Sequence, residues 1–293
     1  MKTRAAVLYR MEHAAPYAQS KPLVIEELDL EGPGPGEVLV QVEAAGLCHS
    51  DLSVINGSRP RVMPMVLGHE AAGIVRETGP GVAGLKSGDR VVFSYVPICG
   101  RCGPCAAGRA SLCEAGLKAN VAGTLLSGAR RFTHAKHPTL NHHLGVSGFS
   151  EFTVAAQESL VKTDADLPSQ KAALFGCAIM TGVGAIVNTS KVQAGSSVAV
   201  FGMGGVGLSA VMGAKLAGAQ PIIAVDILDE KLALATKLGA THTVNARKCN
   251  PIEAIRDLTR GGAQYSIESS GHEPVAQQPF EATPPGGETV YDG

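Results

Sequence analysis

The stretch Ser196-Ser197-Val198-Ala199-Val200-Phe201-Gly202-Met203-Gly204-Gly205-Val206-Gly207, with the apolar segment 208–217 behind it, decides the fold of the second half of the chain. A short apolar run reads as a buried parallel strand, and a longer apolar segment as a helix packed on it. The turn between them is a GxGxxG. Gly202 permits the tight turn, Gly204 lets a pyrophosphate approach the backbone, and Gly207 lets the helix lie close to the strand. Gly205 and Val206 complete the phosphate-facing turn. Taken alone the motif is weak, but a second apolar run at 221–225 ends in Asp226, nineteen residues after Gly207. An acid there can accept from the ribose hydroxyls and repel the extra phosphate of NADP, so NAD is the expected cofactor, although a solvated loop acid would look the same.

The alternation continues outward from this unit. Residues 229–238 predict a second helix stopped by Gly239, and 241–246 a third strand. Asn250 caps a third helix with Pro251 at its first position and Gly261 at its end, and strands follow at 265–270 and 286–291. Together they predict an α/β chain whose second half is a doubly wound parallel sheet.

Upstream, six of the seven cysteines sort into two ligand sets, leaving Cys249 unassigned. Cys99, Cys102, Cys105 and Cys113 have the spacing Cys-x2-Cys-x2-Cys-x7-Cys, which lets one short lobe close around a tetrahedral zinc. A disulfide pair is disfavoured because the N-terminus resembles no signal peptide. An iron–sulfur cluster fits poorly because Glu114, not proline, follows Cys113. A nucleic-acid ribbon would want a basic surface, and the formal charge is −1. The dispersed set is Cys48, the histidine of Gly68-His69-Glu70, and Cys177 in Phe175-Gly176-Cys177-Ala178. Three protein ligands leave a position for water or substrate, as catalytic zinc requires. Read singly, each could equally be a small buried cysteine or a core histidine.

At 293 residues with 45% hydrophobic content, the chain can bury two cores. The boundary is expected near residue 178, giving a strand-rich domain 1–178, with the cysteine lobe at 95–115, and a βα domain 179–293. No run has the length of a membrane span, and the balanced charge argues against membrane surfaces or nucleic acid as partners. A cytoplasmic location is expected.

Cys48-His49-Ser50-Asp51, Gly68-His69-Glu70, the Gly79-Pro80-Gly81-Val82 turn leading to Gly88-Asp89-Arg90-Val91, the cysteine lobe and Gly176-Cys177 together resemble the zinc-dependent medium-chain alcohol dehydrogenases, in order and over nearly the whole chain. The resemblance implies a GroES-like, partly open β-barrel catalytic domain before a Rossmann domain. It implies two zincs, a catalytic one on Cys48, His69 and Cys177 and a structural one on the lobe. It also gives Ser50 a hydrogen bond to the reacting oxygen, Asp51 the second ring nitrogen of His69, Glu70 a place behind the metal, and His49 the cofactor pyrophosphate. Lys231 would lie along the adenosine edge, and Tyr95 would line the pocket. The implied reaction is NAD-linked interconversion of primary or aromatic alcohols and aldehydes, with hydride leaving a zinc-bound alkoxide.

Two features depart from the pattern. Ser53 stands where relatives with a full proton relay place a histidine. The fifth strand is followed only by Asp292 and Gly293, whereas a complete sheet of this type has six strands, the sixth building the family's oligomer interface. A truncated carboxyl end is therefore expected, and a noncatalytic zinc-binding remnant is the rival to a working enzyme. A polyol or glutathione-adduct dehydrogenase is a further alternative, which Leu117-Lys118 leaves open. Residues 115–147, with His134, His137, His142 and His143, are expected to be irregular and to shape the pocket mouth, with no metal site among those histidines.

Overall fold

A computed structural model describes residues 1–164 and 166–292, and the chain divides into two compact units, Met1–Cys177 and Ala178–Gly293. In the first unit, the alternating pattern of Lys2–Leu8 buries Ala5 and Val7 and leaves Lys2 and Arg4 in solvent, the signature of a strand with one wet face. It pairs antiparallel with Leu23–Leu30, and Phe132–His134, His137–His142 and Met65–Val66 complete a closed five-stranded barrel. Leu28, Leu30, Phe132 and Leu140 fill its interior. A second sheet runs in the order Leu160–Lys162, Arg90–Phe93, Glu70–Thr78, Glu37–Gly46, Phe152–Ala156.

The antiparallel pair Glu37–Gly46 and Glu70–Thr78 positions the chemistry. Its last rung sets Gly46 opposite Glu70, so the chain leaving one strand and the chain entering the other emerge at the same edge. Cys48 and His69 lie just past that rung. The strand Glu37–Gly46 gives way to a helix, His49–Ile55, that the sequence reading did not foresee. Cys48 caps it: its Sγ accepts from the Ser50 N–H, while the Asp51 carboxylate accepts from the Cys48 N–H.

Residues 115–147 depart further from expectation. The segment contains most of the helix Glu114–Ala122 and two barrel staves, so His142 and His143 are buried, not loop residues. The short staves carry too few residues for their alternation to stand out in the sequence.

The second unit is a parallel sheet in the order His242–Asn245, Ile222–Asp226, Val198–Phe201, Tyr265–Glu268, Glu288–Tyr291. Val198 and Val200 pack on one face with Ala210, Val211 and Ala214, and Ala199 and Phe201 on the other with Ile255 and Ala282. Burial on both faces is why this strand is uninterruptedly apolar. Asn250 caps Pro251–Thr259 by accepting from the Ile252 N–H, but Arg260, not Gly261, takes the left-handed position that closes the helix. The fourth strand ends at Glu268, before the expected Ser270, because the buried Glu268 carboxylate accepts from the Ser270 N–H and draws the chain out of the sheet. Among the described residues, no single helix is long and apolar enough to cross a membrane.

A Cβ on Gly207 would sit 1.8 Å from the Gly202 carbonyl oxygen, whereas one on Gly204 would meet nothing within 4 Å. Gly207→Ala is therefore expected to cost about 1–3 kcal/mol in denaturant unfolding. Gly204→Ala should leave the unfolding midpoint unchanged.

Candidate active site

Asp51 is the hub of the first unit's edge. Its Oδ2 accepts from the Cys48 N–H at 3.2 Å, and its Oδ1 lies 3.1 Å from Nδ1 of His69, both side chains of that pair being buried. A carboxylate on Nδ1 holds the proton there and leaves the Nε2 lone pair free for a metal. Cys177 arrives from the other side, after the turn Ala173–Gly176. A Cβ on Gly176 would lie 2.7 Å from the Phe93 carbonyl oxygen, so only glycine lets this turn press so closely on the sheet. The ligand atoms of Cys48, His69, Glu70 and Cys177 all lie within 4.8 Å of one another. Thiolates on a tetrahedral zinc stand about 3.8 Å apart, so this donor set has the chemistry and the size for that ion.

The electrostatics agree. The Cys48 thiol is drawn down to about 3, first by the Cys177 thiol and further by His69 and the Ser50 N–H. Burial disfavours a charged His69, but Asp51 and Cys48 outweigh it and raise the imidazole to about 10, so a metal binding at Nε2 displaces a proton there. Burial would raise Asp51 too, yet the imidazoles of His143 and His69 hold it below the usual carboxylate range. Glu70 is pushed up to about 7, by burial and then by the Cys48 charge. So much negative potential in a buried cluster calls for positive charge at its centre.

In the lobe, Cys99, Cys102, Cys105 and Cys113 likewise bring their sulfurs within 4.8 Å of one another, and Sγ of Cys102 and Cys113 are 4.0 Å apart. Cys113 caps the helix Glu114–Ala122, its sulfur accepting from the Gly116 and Cys99 N–H groups. Backbone N–H groups of Cys105 and Glu114 draw Cys102 down to about 6, the form a metal takes.

The remaining expected residues are placed as follows. Ser50 is half-buried, and His49 opens the helix in solvent. The Tyr95 ring meets the His69 ring edge-on at 5.8 Å, so it borders the cluster. In the second unit, Gly202 turns at φ +90° with the Ser270 backbone 2.8 Å from where its Cβ would be. Gly205, Val206 and Gly207 begin the helix Gly205–Leu216, where N–H groups have no carbonyl within the helix to bond. The Asp226 carboxylate is largely engaged already. Oδ2 accepts from the Met203 N–H, and Oδ1 from the N–H groups of Ile227 and Leu228. A carboxylate has about four lone-pair sites, so one acceptor remains for a ribose hydroxyl. Lys231 is half-buried in the first turn of Asp229–Leu238.

Sequence reasoning missed two neighbours of the cluster. His143 is buried with its ring 5.5 Å from that of His69, and its Nδ1 lies 3.2 Å from the same Asp51 oxygen but out of hydrogen-bonding alignment. With Asp51 and His69 it forms a third group of close donor atoms, so a histidine set aside in the sequence belongs at the site. Arg59 Nη1 donates to Ser50 Oγ at 3.3 Å, and the only signal was two basic residues in Arg59-Pro60-Arg61.

Residues 34–168 match the alcohol dehydrogenase GroES-like domain and residues 205–293 the zinc-binding dehydrogenase domain. An S-(hydroxymethyl)glutathione dehydrogenase of Paracoccus denitrificans is 38% identical, over 100% of this chain and 78% of the relative. The chain belongs to the zinc-dependent medium-chain alcohol dehydrogenases. Benzyl alcohol dehydrogenase from Acinetobacter calcoaceticus superposes on this dehydrogenase with a TM-score of 0.89 at 35% identity, covering 100% of this chain and 77% of the other. An NADP-bound structure from Sinorhizobium meliloti has a TM-score of 0.80 at 28% identity, covering 99% of this chain and 76% of the other.

The dehydrogenase makes room for Glu70 with a glycine, since a Cβ on Gly46 would lie 2.2 Å from Glu70 Oε2. Gly46→Ala is therefore expected to displace that carboxylate and change how fast a metal loaded on the neighbouring donor atoms exchanges. Cobalt substitution followed by visible spectroscopy checks this, with an altered spectrum or exchange rate as the expected result.

Proposed function

We propose that this dehydrogenase interconverts primary or aromatic alcohols and their aldehydes with NAD, holding one zinc on Cys48, His69 and Cys177 and a second on Cys99, Cys102, Cys105 and Cys113. The observation that carries the reading is the convergence of two thiols and one imidazole, with Asp51 braced behind the imidazole. Bound there, zinc supplies a Lewis acid that brings an alcohol's pKa toward neutrality, and NAD supplies the hydride acceptor.

The chain's own residues do the rest. Asp51 fixes the His69 tautomer and, through the Cys48 N–H, the helix that carries Ser50. The Ser50 hydroxyl accepts the proton of the reacting alcohol and passes it outward. With Ser53 in place of a relay histidine, the exposed His49 or water takes it next. Glu70, as a fourth donor in the cluster, can assist exchange of the open position. In the second unit, the helix-opening N–H groups of Gly205, Val206 and Gly207 receive pyrophosphate, and the spare Asp226 lone pair receives ribose. Ile227, exposed and apolar, follows Asp226, so the chain offers no cation at that step for the phosphate that distinguishes NADP. Lys231 lies close by in sequence to serve the adenosine edge. Six thiolates held for metal suit a reducing setting, such as the cytoplasm. The 38% identity to the Paracoccus enzyme favours a glutathione adduct as the second substrate class.

Metal analysis of the purified protein is expected to find two zincs per chain, one removed readily by chelator together with NADH formation from benzyl alcohol. One zinc, or two with no NADH from benzyl alcohol or S-hydroxymethylglutathione, would contradict the proposal. Asp226→Ala should weaken NAD by about tenfold, the loss of a charge-assisted hydrogen bond, and narrow the preference over NADP. Steady-state kinetics with both cofactors measure it.

A further inference from the structure

The loop after the helix His49–Ile55 carries two neighbouring cations, one of them beside the Ser50 hydroxyl. Arg59 is exposed, and its Nη1 reaches Ser50 Oγ at 3.3 Å. Arg61 is half-buried, donating from Nη1 to the Pro60 carbonyl, while its Nε is buried with no hydrogen-bond partner. Burial and the neighbouring Arg59 both weaken the hold of the Arg61 guanidinium on its proton, and its field reaches His143 at the cluster. Among the described residues, neither arginine has a carboxylate within 4.0 Å. A buried, unpaired guanidinium donor next to a second positive charge is costly, and the ligand that removes the cost is an anion able to take both N–H groups.

Resting on the alcohol-oxidation reading above, we infer that Arg59 and Arg61 bind a carboxylate on the substrate, so that the preferred substrates are alcohols and aldehydes bearing an acid group near the reacting carbon. The spacer is short, because Arg59 reaches the Ser50 hydroxyl itself. A planar guanidinium fork matches a carboxylate in two parallel hydrogen bonds. When the alcohol oxygen occupies Ser50, Arg59 gives up that contact and turns to the acid. The chemistry at the reacting carbon is unchanged, since the alcohol still loses its O–H proton to Ser50 and a hydride to NAD.

Two primary alcohols of the same shape test this, 3-hydroxypropanoate and 3-methylbutan-1-ol, with the zinc-loaded protein. The acid is expected to be favoured in kcat/KM by about tenfold or more, the worth of a charge-assisted hydrogen bond. Rising salt should narrow the ratio. Arg61→Gln should collapse the ratio toward one by loss on the acid alone, and Arg61→Lys should keep part of it. Calorimetry of the same two alcohols without NAD gives a readout independent of turnover, in which tighter binding of the acid, lost in Arg61→Gln, is the expected result. Equal treatment of the two alcohols overturns the inference and leaves the alcohol-oxidation reading standing. Oxidation of neither alcohol overturns that reading, and the calorimetric comparison then decides the arginine site by itself. A raised KM for NAD in Arg61→Gln with an unchanged acid preference would assign these arginines to cofactor phosphates and likewise overturn it.

Discussion

The site depends on one carboxylate. Asp51 is buried, and a buried charge persists only where donors surround it. It has the Cys48 N–H on one oxygen and the His69 imidazole on the other, with the His143 imidazole close to the second. One group thereby caps a seven-residue helix, orients one candidate ligand and anchors the backbone of another. A helix this short has little stability of its own, so its position comes from the cap and from Val54 and Ile55 packing into the unit beneath it.

The sheet supplies the frame in which that carboxylate works. Pairing Gly46 with Glu70 brings two chain segments over twenty residues apart to one edge, and the alternation of each strand forbids a slip of one residue without turning its apolar face outward. Gly46, Gly176 and Gly207 each stand where a methyl group would collide with a carboxylate or a carbonyl. These close approaches set the positions of Glu70, of Cys177 and of the turn from Gly202 to Gly207.

The parallel sheet of the second unit was the most legible part. Its strands are short and bounded by Gly, Asn and Pro, its first helix follows a glycine turn, and the observed order of five strands is the one that βα alternation implies. Strand and helix ends moved only where side chains intervened, as at Glu268 and Arg260. The first unit was harder. Its barrel is built from staves as short as two residues, and nothing local distinguishes Phe132–His134 from a loop. His143 was passed over because its partner, Asp51, lies more than ninety residues away, and Arg59 because its contact with Ser50 forms across a turn, not along a helix face.

By itself the sequence determined the kinds of chemistry available. The spacing of Cys99, Cys102, Cys105 and Cys113 is a local property, and so is a glycine turn between a strand and a helix. Residue types at short separation need no fold to be read. Tertiary structure alone decided which distant groups share one small volume, with the ligand atoms of Cys48, His69, Glu70 and Cys177 within 4.8 Å, His143 against Asp51, and, among the described residues, Arg61 Nε left without a hydrogen-bond partner. The physical reason is that strand register and burial, not neighbouring residues, set those distances, and both emerge only when the whole sheet has formed.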